Sequence, residues 1–348
     1  MSFELGLFDV MQVDPLRNLS LHEIYGARLD DLELADQLGF TFAFCAERHF
    51  TPLCQCPAPG VWLGAASQRT SRLRLGVLGY TLPIHDPVLL AEEIALLDQL
   101  TGGRLEVGFG LGHRVEELIA LGVDPARRID IFQERLAILE ALWSGGQVTI
   151  ESEFSRIHDA AIHPLPVQEP HPPIWYAGTD PGGVNWAASR GMSVALGFRP
   201  IRDLKQAAAA FHAGRAEFQA SNGPAALPGR LALMRRTYVA ESDERAFAEM
   251  SADIERLGAV TGDGKGEAVE RKERAAESAM RLVADEVYIA GGPQTVARAI
   301  RQAREQLEID LFLADVYGGG IDPQRVRQTM RHLAGPVCAL LNAVPAPV

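Results

Sequence analysis

The stretch from Leu73 to Gly112 constrains the fold more than any other part of the chain. It holds two short apolar runs, Leu73–Leu78 and Leu105–Phe109, on either side of a segment with apolar residues at helical spacing. Runs rich in Val and Leu on both faces are typical of strands in a parallel sheet. The segment between them begins after Pro87 and ends at Gly102, as helices often do. The stretch therefore predicts a strand–helix–strand unit with a right-handed crossover.

The same alternation repeats along the chain. Eight runs are predicted as strands: Phe3–Val10, Phe40–Ala46, Leu73–Leu78, Leu105–Phe109, Ile174–Ala177, Met192–Leu196, Leu231–Val239 and Ile309–Asp315. Beside the helix after Pro87, the helical segments are Leu21–Leu38, Val61–Ser67, Val115–Leu121, Ile129–Leu142, Val184–Ser189, Leu204–Phe218, Asp243–Leu257, Glu270–Leu282, Thr295–Leu307 and Pro323–Leu333. This pattern predicts an α/β fold, a (β/α)8 TIM barrel with insertions in the βα loops. A doubly wound sheet is the alternative, but it usually has fewer strands and one strong phosphate loop after the first.

Two segments interrupt the alternation. Residues 145–173 hold five prolines and two short β-like pieces, and residues 240–282 hold two helices with a glycine-rich loop between them. We expect one barrel domain over residues 1–348 with insertions near these two segments. The loop Gly258–Glu267 has few apolar residues to bury, so we predict that it is a mobile lid, with a solvated linker as the alternative.

The composition limits the partners. A formal net charge of −12 argues against nucleic acid or an anionic membrane, because phosphate binding needs clustered Lys and Arg. No apolar run approaches the roughly 18 residues of a membrane-spanning helix, and residues 1–10 lack the basic start of a signal peptide. The cysteines, Cys45, Cys54, Cys56 and Cys338, form no disulfide framework, so we expect a cytoplasmic protein.

Several motifs in order along the chain carry a family resemblance. They are AERHF at Ala46–Phe50, LPIHDPV at Leu82–Val88, LLDQLTGGRL at Leu96–Leu105, PIWYAGT at Pro173–Thr179 and the glycines Gly318–Gly320. With these motifs the chain resembles the bacterial-luciferase-like flavin monooxygenases, which share their barrel with the deazaflavin-dependent oxidoreductases. The resemblance covers nearly the whole chain.

The resemblance implies an enzyme that uses reduced FMN and O2 to oxidise a small organic substrate. A separate flavin reductase would supply the reduced FMN, since no nicotinamide-binding segment is evident, and a homodimer is implied. A deazaflavin-dependent hydride-transfer enzyme and a non-catalytic flavin-binding protein are the alternatives. Oxygen chemistry on a reduced flavin needs a pocket that excludes water, which a barrel mouth covered by loops can provide.

The turn Gly178–Gly183 is the candidate phosphate site. Backbone N–H groups at a helix N-terminus form an anion site, and Thr179 adds a hydroxyl donor. A helix cap with no ligand is the alternative. The resemblance adds Leu111, which stands where the family often has a phosphate-binding arginine, and His113 or Arg114 is a candidate substitute. The predicted cofactor-binding residues are Leu78, Gly79, Leu111, Gly112, Tyr176, Gly178, Thr179, Gly182 and Gly183.

The bond between Leu78 and Gly79 is the candidate ring support. The family commonly has a non-prolyl cis peptide there, and such a bond costs about 3 kcal/mol, so it persists only where the surrounding structure enforces it. An ordinary bulge at the end of a strand is the alternative.

Arg48 and His49, at the end of the second predicted strand, are the candidate catalytic residues. His49 is placed to transfer protons near neutral pH, with a structural hydrogen bond as the alternative. Arg48 stands where the luciferases have their catalytic histidine. A fixed cation there can stabilise an anion but is a poor general base.

Other motifs are weaker. Gly108–Gly112 does not match the GxGxxG fingerprint of dinucleotide-binding folds. His49 with Cys54 and Cys56 lacks the spacing of a zinc signature, so no metal is expected. Asp98 and Arg104 precede a strand, on the face of the barrel that serves stability, and we interpret them as structural.

Overall fold

The computed structural model describes residues 3–13, 19–52, 54–223, 226–261, 268–317 and 321–343. The strands in this part of the chain are β1 (Glu4–Asp9), β2 (Phe42–Cys45), β3 (Arg74–Thr81), β4 (Leu105–Gly110), β5 (Val148–Glu151), β6 (Arg156–Ala160), β7 (Ile174–Ala177), β8 (Ser193–Leu196), β9 (Leu231–Val239), β10 (Tyr288–Gly291) and β11 (Leu311–Asp315). Eight of them pair in parallel in the order β1-β2-β3-β4-β7-β8-β9-β11, and β11 pairs with β1. The sheet is therefore a closed barrel, and the predicted (β/α)8 fold is confirmed.

Helices surround the barrel. They are α1 (Leu21–Leu38), α2 (Pro59–Ser67), α3 (Pro87–Thr101), α4 (Val115–Ala120), α5 (Arg128–Trp143), α6 (Pro181–Ser189), α7 (Ile201–Asn222), α8 (Asp243–Thr261), α9 (Ala268–Ala284), α10 (Pro293–Leu307), α11 (Pro323–His332) and α12 (Cys338–Asn342). The start of α3 shows why they form where they do. Asp86 accepts hydrogen bonds from the N–H groups of Val88 and Leu89, and Pro87 takes the first helical position. The helix ends at Gly102, whose φ of 61° suits glycine.

Aromatic side chains fill the barrel. The rings of Phe42 and Phe44 stack with their centroids 5.9 Å apart, and Trp175 meets Phe44 edge-on at 5.3 Å. Glycine at position 76 makes room for them, because a Cβ there would lie 2.7 Å from the Phe44 ring. The interior is thus a packed core, so ligands can reach only the two ends of the barrel.

The first insertion lies on a different side of the barrel than predicted. It contains the antiparallel hairpin β5–β6, but it follows helix α5 and precedes β7. It is therefore part of an αβ connection rather than a βα loop. Asp98 of α3 anchors it by accepting hydrogen bonds from the N–H groups of Val167 and Gln168, both at 2.8 Å. Arg104 donates to the carbonyl oxygens of Ser67, Thr70 and Leu73. The structural roles predicted for Asp98 and Arg104 are confirmed.

The second insertion contains a strand that the sequence analysis missed. The four residues of β10 pair with the last four residues of β9, and the first of these, Arg236, also pairs with Asp315 of β11. The predicted lid, Gly258–Glu267, is described only in part. Its first residues, 258–261, form the last turn of α8, and residues 262–267 lie outside the described residues, as do the glycines 318–320. The end of the chain differs too, because a π-helical turn at Leu333–Val337 and helix α12 follow α11.

Candidate active site

The predicted site residues lie along one arc of the barrel rim. Arg48 and His49 follow β2, Leu78 and Gly79 lie in β3, and Leu111 and Gly112 follow β4. Tyr176 lies in β7, and the turn 178–183 connects β7 to α6. These four strands are consecutive neighbours in the barrel, so their carboxyl ends place the residues side by side. This face of a barrel carries the active site in characterised enzymes of this fold.

The bond between Leu78 and Gly79 is a cis peptide, as predicted. It does not end the strand, because β3 continues to Thr81 after a shift in register between Val77 and Tyr80. The backbone is tightly packed here, since a Cβ on Gly79 would lie 2.8 Å from the carbonyl of Gly108. The predicted cis peptide and the alternative bulge are therefore both present at one place.

The turn before α6 contains a helix cap, which the sequence analysis gave as the alternative to a phosphate site. The carboxylate of Asp180 accepts a hydrogen bond from the Gly183 N–H at 3.0 Å, as a helix cap. The buried ring of Tyr176 fills the space beside Gly178 and Gly183, where an added Cβ would lie 2.4 Å and 2.6 Å from its atoms. Gly182 is more open, with only the Asp180 carboxylate nearby. Gly178 and Gly183 thus accommodate a tyrosine, whereas Gly182 is exposed and has only the Asp180 carboxylate close to it.

A cation that the sequence analysis missed lies near this turn. Burial and the charge of Asp180 raise the pKa of Tyr176, and the charge of Arg128, at the start of α5, opposes them. Arg128 forms no ion pair with any residue in the described part of the chain. It is therefore available for an anion bound at the turn, a role that Leu111 cannot fill. Arg128 precedes the turn by some 50 residues, and no short-range spacing connects the two.

The loop after β4 completes this side of the rim. Gly112 has a φ of 77°, and a Cβ there would lie 2.8 Å from Leu118, so only glycine fits. Burial and the charge of Arg48 lower the pKa of His113. Arg114 lies 3.4 Å from Glu117 and is thus already paired.

A buried carboxylate connects the catalytic candidates to β3. Glu47, only 1% exposed, accepts a hydrogen bond from the Thr81 N–H at 2.5 Å. Its other oxygen lies 2.7 Å from His85 Nε2 and 3.4 Å from His49 Nε2. Burial alone would raise the pKa of Glu47, but these two histidines and the Thr81 N–H outweigh it and lower the pKa to about 2. Glu47 is therefore ionised at any ordinary pH.

The two catalytic candidates differ in their surroundings. The pKa of His49 is raised, chiefly by Glu47, against the opposing effect of burial. The Arg48 guanidinium donates to the carbonyl oxygen of Glu47 at 2.9 Å and meets no carboxylate in the described residues. His49 therefore favours its protonated form, and Arg48 is a cation that no carboxylate of the described residues neutralises.

The opposite arc of the rim holds a second polar group that the sequence analysis missed. Burial raises the pKa of Asp315, at the end of β11, to about 6, although Arg236 of β9 opposes the shift. Its Oδ2 lies 3.8 Å from Arg236 Nε and makes no hydrogen bond in the described part of the chain. Phe198 packs beside this arc against Phe8. The arc therefore combines an apolar surface with a carboxylate and a cation.

These features fit FMN in part. The backbone at Gly110 is not crowded, since a Cβ there would lie 3.8 Å from the Ala177 carbonyl oxygen, an ordinary van der Waals distance. Arg48, Arg128 and the N-terminus of α6 provide positive potential on the same side. The Asp180 cap competes with a phosphate for the Gly183 N–H. Within the described residues no cluster of His, Cys, Asp and Glu could hold a metal ion, and no helix could cross a membrane.

Comparison with known proteins gives a consistent result. The family model described as luciferase-like monooxygenase matches residues 11–310. The chain is 29% identical over 243 residues to limonene 1,2-monooxygenase of Rhodococcus erythropolis, covering 69% of this chain and 60% of that protein. It is 27% identical over 228 residues to the oxygenase component of flavin-dependent trigonelline monooxygenase of Acinetobacter baylyi, covering 64% and 62%. The chain thus spans about three fifths of the length of these two relatives.

A solved structure extends the comparison to the fold. The oxygenating constituent of 3,6-diketocamphane monooxygenase from Pseudomonas putida, in complex with FMN, superposes with a TM-score of 0.80. The match covers 97% of this chain and 98% of that one at 20% identity. At that identity the likeness shows a shared barrel fold and no more.

Proposed function

This chain belongs to the luciferase-like monooxygenase family of oxidoreductases, and from that premise we propose that it is an FMN-dependent monooxygenase. It would use reduced FMN and O2 to oxidise a small organic substrate. One observation carries the proposal: the family match, residues 11–310, includes every strand end on which the predicted site residues lie. The names of the limonene and trigonelline relatives support the same kind of reaction.

The proposed binding mode uses the arc from β2 to β7. Leu78, Gly79, Leu111 and Gly112 would hold the flavin ring. Thr179, Gly182 and Arg128 would hold the phosphate, and the Gly183 N–H would be free for it only if Asp180 gave up its hydrogen bond. Bound reduced FMN supplies the electrons that activate O2. Gly178, Gly183 and Tyr176 hold the shape of the turn.

The protein's own groups exclude water and move protons. His49, whose raised pKa favours the protonated form, acts as a proton donor at the mouth. Arg48 offers a fixed positive charge to anionic groups and does not itself exchange a proton. The partly exposed Phe198 of the opposite arc, which packs on the buried Phe8, binds the substrate and excludes water from it.

We also propose two partners. A separate flavin reductase supplies reduced FMN, which the name "oxygenase component" of the trigonelline relative supports. A second copy of this chain forms a homodimer, for which the outer face of α3 offers a surface. Leu89, Leu96 and Leu100 are seven and four residues apart, so they lie on one side of that helix, and all three are exposed.

A cofactor titration separates the candidate functions. The protein is titrated with reduced FMN and with reduced deazaflavin under anaerobic conditions, and each complex is then mixed with O2 and a panel of small terpenoid and aromatic substrates. We expect tighter binding of FMN and a product that carries one oxygen atom from 18O2. Preference for the deazaflavin, with hydride transfer and no oxygen incorporation, would favour the second candidate. Flavin binding without any product would favour a binding protein.

A further inference from the structure

The carboxylate of Glu47 connects elements that are far apart in sequence. Glu47 follows β2 and is buried. Its carboxylate accepts a hydrogen bond from the Thr81 N–H at the end of β3 and lies between the ring nitrogens of His85 and His49. Thr81 and His85 each donate to a different oxygen of the carboxylate, and His49 approaches the oxygen that His85 already contacts. The carboxylate can accept at about four lone-pair sites, so it can hold both histidines at once.

The two ring nitrogens of His49 have different surroundings. Nε2 is buried, makes no hydrogen bond, and lies 3.4 Å from the Glu47 carboxylate, a distance typical of an ion pair. Nδ1 has no hydrogen-bond partner in the described part of the chain and keeps access to solvent. A carboxylate beside one ring nitrogen keeps a proton on that nitrogen, which leaves the other to exchange protons.

We infer that Glu47 is a positioning residue, which keeps a proton on Nε2 of His49 and leaves Nδ1 at the barrel mouth as the proton-transferring atom. The inference rests on the proposed function, in which His49 is the proton donor. It adds the residue that sets the charge and the ring orientation of that donor. The backbone of Thr81 and the ring of His85 fix the carboxylate, so they fix His49 through it.

The electrostatics agree with this arrangement. The contact with Glu47 raises the pKa of His49, burial opposes the rise, and Glu117 adds to it. The charged and titratable groups around His49 are Glu47 and Arg48 on its own loop, His85 after β3, His113 after β4, and Glu117 with its partner Arg114 from α4. Glu117 is itself paired with Arg114, whereas Glu47 faces His49 with no intervening cation. Glu47 is therefore the dominant influence on His49.

The decisive experiment measures the His49 pKa directly. The ring signals of the full-length protein are followed by NMR between pH 5 and 9, and His49 is assigned with a His49→Gln variant. In Glu47→Gln we expect the His49 pKa to fall by about one unit or more, a tenfold weaker hold on its proton. Glu106→Gln is the matched control, because Glu106 is equally buried but lies at the other end of the barrel, bonded to Trp175 and Arg74.

A second variant covers the case in which Glu47→Gln does not fold. Glu47→Asp keeps the charge, but its side chain is one methylene shorter, so the carboxylate lies farther from His49. The pKa of His49 should therefore fall by a smaller amount than in Glu47→Gln. An unchanged His49 titration in both variants, or in Glu47→Asp alone if it is the one that folds, would overturn the inference and leave Glu47 a structural residue.

Activity gives an independent readout. In Glu47→Gln, the alkaline limb of the pH profile for product formation, where the proton donor His49 loses its proton, should move in the same direction as the NMR pKa, with a larger effect on kcat than on KM. The NMR titration needs neither flavin nor substrate, so it tests the Glu47–His49 coupling even if the protein uses a different cofactor. A wild type that shows the coupling but forms no oxygenated product would refute the proposed function and not the coupling.

Discussion

The hydroxyl of Tyr176 occupies the space beside Gly183, so that a Cβ added at Gly183 would lie 2.6 Å from that oxygen. The Tyr176 ring is itself held from behind by Phe132, which meets it edge-on at 6.1 Å. The tyrosine and the glycine therefore pack directly against each other under the turn, so the effects of substitutions at the two positions on stability should be coupled.

We expect Gly183→Ala to lower the free energy of unfolding by about 1–3 kcal/mol, as overpacking usually does. Tyr176→Phe removes the nearest atom, so the double variant should recover part of the loss. Urea unfolding of the two single variants and the double variant measures the coupling. Additive losses would show that the hydroxyl is not the obstacle.

Gly182 tests the phosphate site, because it is exposed and a side chain there would meet only the end of the Asp180 side chain. Gly182→Asp places a carboxylate where the phosphate is proposed to lie and should weaken FMN binding at least about tenfold, or 1.4 kcal/mol. Gly182→Ala is the control and should change the affinity little. Fluorescence titration with FMN measures both. If the aspartate variant binds FMN as tightly as the wild type, the phosphate lies elsewhere.

His49 tests the proton-transfer role. His49→Ala should slow product formation by about 10²–10⁴-fold, the usual contribution of general acid–base catalysis, while FMN affinity changes much less. His171→Ala, on the opposite face of the barrel beside Trp143, is the matched control. Single-turnover rates with saturating reduced FMN separate chemistry from binding. Normal turnover in His49→Ala would assign the residue a structural role.

Because Asp315 is buried, we predict that the free energy of unfolding depends on pH. Its folded pKa, about 6, lies above its unfolded value near 3.9, so its favourable contribution is complete below about pH 4 and disappears as the pH rises through 6. The side chain of Asp315→Asn cannot titrate. Between pH 4 and 7, the free energy of unfolding of the wild type should therefore fall by about 3 kcal/mol relative to that of the variant. Denaturant unfolding at several pH values measures this, with the exposed Asp130→Asn as the control. A constant difference would contradict the shifted pKa.

The exposed leucines of α3 test the proposed dimer. Leu96 is 51% exposed, and an interface that covers this face would bury it. Leu96→Lys would place a buried charge in that interface, so the measured molecular mass should change from that of a dimer to that of a monomer. Met280→Lys on α9 is the control, because Met280 is 53% exposed on a different helix. Sedimentation equilibrium over a range of concentrations gives the masses. A monomeric wild type, or an unaffected Leu96→Lys dimer, would exclude this surface.

The strands and the rim positions could be predicted because they depend on local patterns. Apolar runs ending in glycine identified β3, β4 and β7, and the motifs placed Leu78 and Gly79 at the correct bond. The strand β10 was missed because four residues before a Gly-Pro helix start carry too weak a pattern. The terminal turn at Leu333–Val337 was missed because Pro336 suggests an end rather than a continuation.

The contacts that define the site could not be predicted in the same way. Glu47 meets partners 34 and 38 residues away, at Thr81 and His85, and no spacing rule connects them. Tyr176 was predicted as a cofactor-binding residue, but no sequence pattern indicated that its ring fills the space beside Gly178 and Gly183. A sequence shows which residues stand at a strand end, whereas the direction of each side chain depends on the packing of several elements.

The order of the strands places the two proposed binding regions in different parts of the chain. All the residues proposed to bind FMN precede β8, whereas the opposite arc, with Phe198, Arg236 and Asp315, is built almost entirely from residues C-terminal to β8. The C-terminal half can therefore diverge while the cofactor half remains constant. Exchanging that half between relatives, at the connection between α6 and β8, would produce chimaeras that keep the flavin and change the substrate.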